Sequence, residues 1–307
     1  MELFKVTLSP VEPTLYTRNS SLDKAGGSTE PSIETLSMST YIYIPMLICL
    51  LGIGGNGLMI IFLTFYIKRK PFTVYILHLA TADFMVLLST IILQLINFSS
   101  EDLQKYIIYM EIFGYNTGLH LLTAISVERC LSVLYPIWYQ CRRPKHQSAV
   151  SCTVLWAHSF LVSGLENFFC VFQLEPQLPE CRDVYIFSCV LTFVFVCLMV
   201  FSNLILFVKV GCNRKPRQPA KLYVIVTATV VLFLVFAIPL KVLLIVAYYS
   251  SDESVWDFFP YLNMLSTINC SVNPIVYFVV GSIRRRKGRK SLKEVLQRVF
   301  EEKPMLT

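Results

Sequence analysis

The sequence predicts an all-α membrane protein, a bundle of seven transmembrane helices followed by an amphipathic cytoplasmic helix 8. Three observations carry this expectation. Of 307 residues, 55% are hydrophobic and only 15% are charged, against about 25% charged in soluble domains. The apolar residues fall into seven runs, each as long as the roughly 20 residues a helix needs to cross a bilayer. The basic residues collect in alternate connections between those runs. This composition argues against a soluble enzyme, a disordered chain and a secreted disulfide scaffold; most of the 10 Cys lie inside the apolar runs. The N-terminus has no apolar core of signal-peptide length, so insertion is expected to rely on a later segment.

The runs are taken in order. Span 1, Tyr41–Ile67, contains no charged residue, and neither do span 5, Val184–Val208, and span 7, Phe258–Val280. Span 2, Val74–Phe98, contains only Asp83. Span 3, Tyr106–Tyr135, is the least apolar and carries Glu111, Glu128 and Arg129. Span 4, Ala149–Phe172, contains only Glu166, and span 6, Leu222–Tyr249, only Lys241. The expected organisation is an extracellular arm over 1–40, a membrane domain over 41–280, and a cytoplasmic helix and short tail over 281–307.

Lys and Arg set the orientation, because cytoplasmic connections carry an excess of them. Lys68, Arg69 and Lys70 follow span 1; Arg142, Arg143 and Lys145 follow span 3; Lys209, Arg214, Lys215, Arg217 and Lys221 follow span 5; the tail is also basic. The arm and the other three connections are net acidic. The N-terminus is therefore expected outside and the C-terminus in the cytoplasm of a multi-pass plasma-membrane protein. The net charge of +7 is a topology signal, and nucleic acid is not expected as a partner. Two Asn-x-Ser sequons, at Asn19 and Asn97, fall on the outer side and are candidate glycosylation sites. A third, at Asn269, lies inside span 7 and is not.

Ionisable and amide groups inside spans are costly and mark function by default. They comprise Asn56 after Gly54-Gly55, Asp83 in Leu79-Ala80-Thr81-Ala82-Asp83, Glu128-Arg129-Cys130 ending span 3, and Asn269 with Asn273-Pro274-Ile275-Val276-Tyr277 in span 7. With Trp156 in span 4 and Pro239 in span 6, they stand in order, each on the span where the rhodopsin-like G-protein-coupled receptors carry it. The chain resembles that family from about Tyr41 to Phe300. The stretch Gly114 to Ala149, together with Lys70-Pro71-Phe72-Thr73-Val74-Tyr75 and Lys221-Leu222-Tyr223, is similar to the Mas and Mas-related receptors within it.

The resemblance implies an extracellular ligand, a peptide or small cationic molecule, and a heterotrimeric G protein, often Gq. It implies an activation switch built from Asp83, Glu128, Arg129, Pro239, Asn269, Asn273, Pro274 and Tyr277. The chain departs from the general pattern at the outer end of span 3, where the usual disulfide cysteine is Gln104. Mas-related receptors instead link spans 4 and 5, which implies a Cys170–Cys181 bond, consistent with an oxidising exterior; a loop this short would contribute about 3 kcal/mol by chain entropy. Ala237 replaces the usual aromatic switch two residues before Pro239, and Gly118 replaces a hydroxyl that helps bind sodium. A sodium site at Asp83 and a protonation or water-network role for it both remain open. No other metal and no cofactor is expected.

No enzyme constellation is present: there is no His-Glu-x-x-His, no Gly-rich phosphate loop, and no lysine in span 7 for a Schiff base. A multi-span transporter is the alternative; such proteins more often show repeat symmetry and broken mid-membrane helices, and no internal repeat is evident.

Ligand recognition is expected from the outer half-spans. Glu111 precedes Arg129 by 18 residues, five turns and about 27 Å along one face. Glu166 lies one turn deeper than Cys170, and Asp183 lies nearby. Lys241, two residues after Pro239, either neutralises Glu111 or receives a ligand carboxylate. At the inner face Arg129 is expected to pair with Glu128 at rest and to meet the G protein on release, with Ile137, just after Pro136, a second G-protein contact. In the tail, Leu292, Val295, Leu296, Val299 and Phe300 recur at helical spacing among Lys290, Lys293 and Arg298, as in a helix lying on the anionic leaflet of the bilayer. The hydroxyls after Tyr277 are Ser282, Ser291 and Thr307 alone, so arrestin recruitment is expected to be weak.

Overall fold

The structure, a computed structural model, describes residues 33–67, 70–96, 101–172, 179–212, 220–249 and 253–282. Asn19, Asn97 and residues 283–307, which hold the expected glycosylation sites and most of the cytoplasmic helix, lie outside the described residues. Within them the protein is a helical bundle with no strand.

Span 1 is Ile33–Ile61, continued by a π turn over Phe62–Tyr66. Span 2 is Pro71–Leu95, and its start is specified by sequence. Lys70 is extended, as the residue before a proline prefers; Pro71 occupies the first turn, where no N–H is missed. Thr73 Oγ1 accepts from the Lys70 N–H at 2.8 Å and donates to the Lys70 carbonyl at 2.8 Å. Span 3 is Glu101–Leu134, stopped by Pro136, which opens the short helix Pro136–Cys141. Span 4 is Gln147–Asn167 with a π turn over Phe168–Phe172, and span 5 is Pro179–Cys212. Span 6 is Ala220–Leu232, a π turn Phe233–Ala237, and Ile238–Tyr249. Span 7 is Phe259–Ser282, after a 3₁₀ turn over Glu253–Phe258.

Six of these helices are long and apolar enough to cross a membrane. The seventh has 24 residues, about 36 Å at the helical rise. Its apolar character is diluted by Ser266, Thr267, Asn269 and Asn273, all of which are buried inside the bundle. Spans 3 and 5 run several residues beyond the apolar stretches read from sequence, because hydropathy marks only the hydrocarbon layer. A helix ends where its hydrogen bonds or caps end, which can be well into the interface.

The polarity of this molecule is turned inward. Phe65, Phe193, Phe201 and Leu161 are exposed, whereas Asn56, Asp83, Glu128, Arg129 and Asn273 are buried. Polar groups in a bilayer turn to the bundle interior because lipid offers them no partner. Span 3 is the central post, packed against spans 2, 4, 5 and 6.

The two prolines of spans 6 and 7 each remove an N–H from the helical ladder. Pro274 leaves the Cys270 carbonyl without its usual donor, and Asn56 Nδ2 of span 1 donates to that carbonyl at 3.0 Å while also donating to Gly52 at 3.0 Å. Before Pro239 the helix widens into its π turn, and Tyr115 of span 3 donates its hydroxyl to the Ala237 carbonyl at 2.9 Å.

Spans 1 and 7 touch closely at Gly52. A Cβ there would collide with Ser271 Oγ and lie 2.7 Å from Leu87 Cδ1 and 2.8 Å from Ser271 Cβ. Overpacking of this kind costs about 1–3 kcal/mol. Gly52→Ala is therefore expected to lower the melting temperature of the purified protein, while Gly118→Ala, whose Cβ would meet nothing within 4 Å, leaves it unchanged. Equal losses from both would refute the close approach.

Candidate functional site

At the end of the bundle that carries the Cys170–Cys181 bridge, three spans bring charge together. Lys241 of span 6 places Nζ 3.3 Å from Glu166 Oε1 of span 4. Ser188 of span 5 donates to the other oxygen, Glu166 Oε2, at 3.2 Å. Glu166 is 6% exposed and Lys241 8%. Beside Glu166, the buried Asn167 amide has neither polar atom partnered by a protein group. Glu111 of span 3 is half-buried and accepts from Thr90 Oγ1 of span 2 at 2.9 Å.

This corrects one expectation. Lys241 forms its ion pair with Glu166, not with Glu111. Spacing along span 3 places Glu111 on a face but is silent on which acid the span 6 lysine reaches. Each acid accepts one hydroxyl hydrogen bond, Glu166 from Ser188 and Glu111 from Thr90, and the ion pair goes to the acid that lies within reach of the lysine. Asp183 is not gathered into the site: it is exposed, with Arg182 Nε 3.4 Å from its Oδ1, a surface pairing of little energetic weight.

The bridge between Cys170 and Cys181 is present, with the Cα atoms 5.0 Å apart. It clamps the π turn at the end of span 4 to the start of span 5, and so fixes the helices carrying Glu166 and Ser188 relative to each other.

Midway along the bundle, Asn273 Nδ2 donates to Asp83 Oδ2 at 2.7 Å. Asn269 is buried nearby in sequence on the same helix, its Oδ1 unpartnered, and Tyr277 is buried one turn beyond Asn273. Among the described residues no group of three or more His, Cys, Asp or Glu gathers as a metal site, and what meets Asp83 is the Asn273 amide and the Cys270 thiol.

At the opposite, basic end, Glu128 and Arg129 do not pair with each other. Arg143, from the connection after span 3, donates to Glu128 Oε1 at 2.8 Å and to Ser148 Oγ at 2.7 Å. The Tyr75 hydroxyl of span 2 donates to the same Glu128 oxygen at 3.1 Å. Burial works to lower the Arg143 pKa, but the hydrogen bond and charge attraction to Glu128, with a contribution from the Tyr139 and Tyr75 phenols, outweigh it and hold the pKa above its usual value. Arg129 lies with its Cζ 3.9 Å from the centre of the Phe72 ring, and its Nε has no hydrogen-bond partner. The expected Glu128–Arg129 pair is not formed because each group has another partner: Arg143 and Tyr75 hold Glu128, and Arg129 lies against Phe72. Ile137 stands 78% exposed on the short helix after span 3.

A sequence model described as 7 transmembrane receptor (rhodopsin family) matches residues 55–277, a stretch that includes Asn56, Asp83, the Glu128-Arg129-Cys130 run and the Asn273-Pro274…Tyr277 turn.

The chain belongs to the rhodopsin family of seven-transmembrane receptors.

Within the family, the receptor is 67% identical over 312 aligned positions to Mas-related G-protein coupled receptor member H of Rattus norvegicus, covering 100% of this chain and 96% of the relative. The Mus musculus protein of the same name is 66% identical with the same coverage. The proto-oncogene Mas of Homo sapiens is 43% identical over 274 positions, 85% of this chain and 83% of that protein. The receptor is thus a Mas-related G-protein-coupled receptor, a multi-pass plasma-membrane protein and neither an enzyme nor a transporter. The resemblance read from Gly114–Ala149 is borne out.

Sequence reasoning missed the partners. Thr90, Ser188 and Ser148 are hydroxyls with no motif to flag them, and Tyr75 reads only as part of a family stretch. Arg143 reads as one of several orientation charges, and Phe72 as part of a family stretch; nothing local shows that one holds Glu128 and the other covers Arg129.

Proposed function

We propose that the receptor binds a peptide or small cationic ligand at the bridge end, through Glu111 and Glu166 with Lys241 between the spans, and signals through Gq. In this reading the bridge end faces outward and the basic end faces the cytoplasm, as the distribution of Lys and Arg favours. Arg129 and Ile137 meet the G protein, while Asp83, Asn269, Asn273, Pro274, Tyr277 and Pro239 carry the change between the two ends. Such a change is a shift between two packings of the bundle, biased by whichever contacts differ between them. With so few hydroxyls in the tail, arrestin recruitment is weak.

The observation that carries the ligand reading is Glu111. Its carboxylate is half-buried on the wall between spans 2 and 3, it has a hydroxyl partner, and it makes no ion pair among the described residues. A carboxylate so placed in a membrane protein attracts a cation. Glu111→Gln is expected to weaken a cationic agonist, selected from a panel of basic peptides, at least tenfold, about 1.4 kcal/mol. Asp183→Asn should change nothing. Inositol phosphate accumulation at matched surface expression measures both, and unchanged potency for Glu111→Gln rejects the assignment.

A further inference from the structure

We propose that the ligand is amphoteric: it brings a cation for Glu166 and a carboxylate for Lys241 on one compact group, and replaces the ion pair between spans 4 and 6 with two pairs of its own. This deepens, and rests on, the reading of the bridge end as the ligand site.

The inference follows from charge balance in a buried place. Glu166 and Lys241 neutralise each other at 3.3 Å, and Ser188 satisfies the remaining carboxylate oxygen. Both side chains are withdrawn from solvent. A ligand with a single positive charge that takes Glu166 must displace the lysine ammonium and leave it buried without an anion. A ligand with a single negative charge that takes Lys241 strands Glu166 in the same way. Leaving one member of a buried pair uncompensated is far more costly than either keeping or replacing the whole pair. A group carrying both charges exchanges one buried pair for two and strands nothing.

The pair also sets the size of that group. Its two charged atoms lie 3.3 Å apart, so the ligand's cation and carboxylate must lie on the same or adjacent residues to engage both partners. A basic residue at the C-terminus of a peptide, with its side-chain cation and terminal carboxylate on one residue, meets this requirement. Because Glu166 and Lys241 sit on different spans, exchanging their direct pair for a bridge through ligand changes the span 4 to span 6 separation, which is the kind of differential contact a two-state bundle responds to.

The experiment uses the full chain reconstituted with G protein, and a pool of tetrapeptides with three randomised residues and a C-terminal arginine. The pool is made in three forms: free acid, C-terminal amide, and free acid with citrulline in place of arginine. Stimulated nucleotide exchange and the melting temperature of the receptor are read for each. The free-acid arginine pool is expected to act at concentrations at least tenfold lower than either other form. In the Glu166→Gln/Lys241→Met double variant, which removes the pair without stranding a charge and leaves Glu111 in place, the advantage of the free acid over the amide is expected to vanish. An amide or citrulline pool as potent as the free-acid arginine pool overturns the proposal, as does a pool that acts in none of its forms, or a double variant that keeps that advantage. Ligand-free nucleotide exchange in the same preparation reports separately on whether the receptor engages its G protein, so failure of the receptor reading is distinguishable from failure of the ligand class.

Discussion

Replacing Lys241 with Met is expected to destabilise the folded receptor by about 3–5 kcal/mol, the usual cost of breaking a buried ion pair from one side. Glu166 would keep its Ser188 hydrogen bond but lose its only ion-pair partner among the described residues, at a position 6% exposed. Glu166→Gln should also destabilise, because it strands the ammonium. The double variant Glu166→Gln/Lys241→Met should recover most of the loss, since replacing a whole buried pair by neutral groups is often neutral or stabilising. A thermal-melting series on purified protein, with surface expression alongside, measures the cycle. A single Lys241→Met variant as stable as the parent, or a double variant no better than the worse single, would remove the ion pair from the account of this fold. The same cycle probes Glu111: if Glu111 were the lysine's partner, Glu111→Gln and Lys241→Met would couple, whereas the geometry has them additive.

Ligand-free signalling should rise when Phe72 is replaced by Leu. Many rhodopsin-like receptors restrain the span 3 arginine with an acid at the inner end of span 6. Counting back from Pro239, that position here is Pro219, and its neighbours Pro216, Arg217, Gln218, Ala220 and Lys221 include no acid. Glu128 does not substitute, being held by Arg143 and Tyr75. Among the described residues, what holds Arg129 is the face of Phe72 at 3.9 Å. A desolvated cation–π contact contributes about 2 kcal/mol; losing even 1.4 kcal/mol of resting-state bias raises a small active fraction roughly tenfold. The parent receptor should already signal detectably without agonist, because this restraint is weaker than a buried ion pair. Arg143→Ala should act in the opposite sense. It frees Glu128 to turn toward Arg129, which restores an ionic restraint and lowers the basal signal. Titrating surface expression against inositol phosphate tests all three statements. A basal signal that is flat with expression in the parent and in Phe72→Leu rejects the cation–π restraint, and a rise on Arg143→Ala rejects the role given to that arginine.

Much of this receptor was legible from composition and order. The bundle followed from seven apolar runs, because a bilayer admits only helices or closed barrels and sets their length. The start of span 2 reads from sequence at Val74, three residues late: Lys70-Pro71-Phe72-Thr73 stands out only as a family stretch, although its cap is local to those residues. The cysteine bridge followed from family resemblance and is present in the structure. Spans 3 and 5 were read too short because the hydropathy signal ends at the hydrocarbon boundary while the helical hydrogen bonds continue.

The sequence by itself determined which residues are available inside the membrane: Asp83, Glu111, Glu128, Arg129, Glu166 and Lys241 are the charged residues of the spans, and Pro239 and Pro274 stand in spans 6 and 7. Only the tertiary structure decided who meets whom. Lys241 reaches Glu166 and not Glu111; Glu128 turns to Arg143 and Tyr75 while Arg129 turns to Phe72; Asn56 crosses from span 1 to donate to the carbonyl that Pro274 sets free. The physical reason is that hydropathy and helical period place a residue by depth and by face, both local properties of one helix. Pairing depends on the rotation and separation of two helices remote in sequence, and those are set by all the contacts of the bundle together.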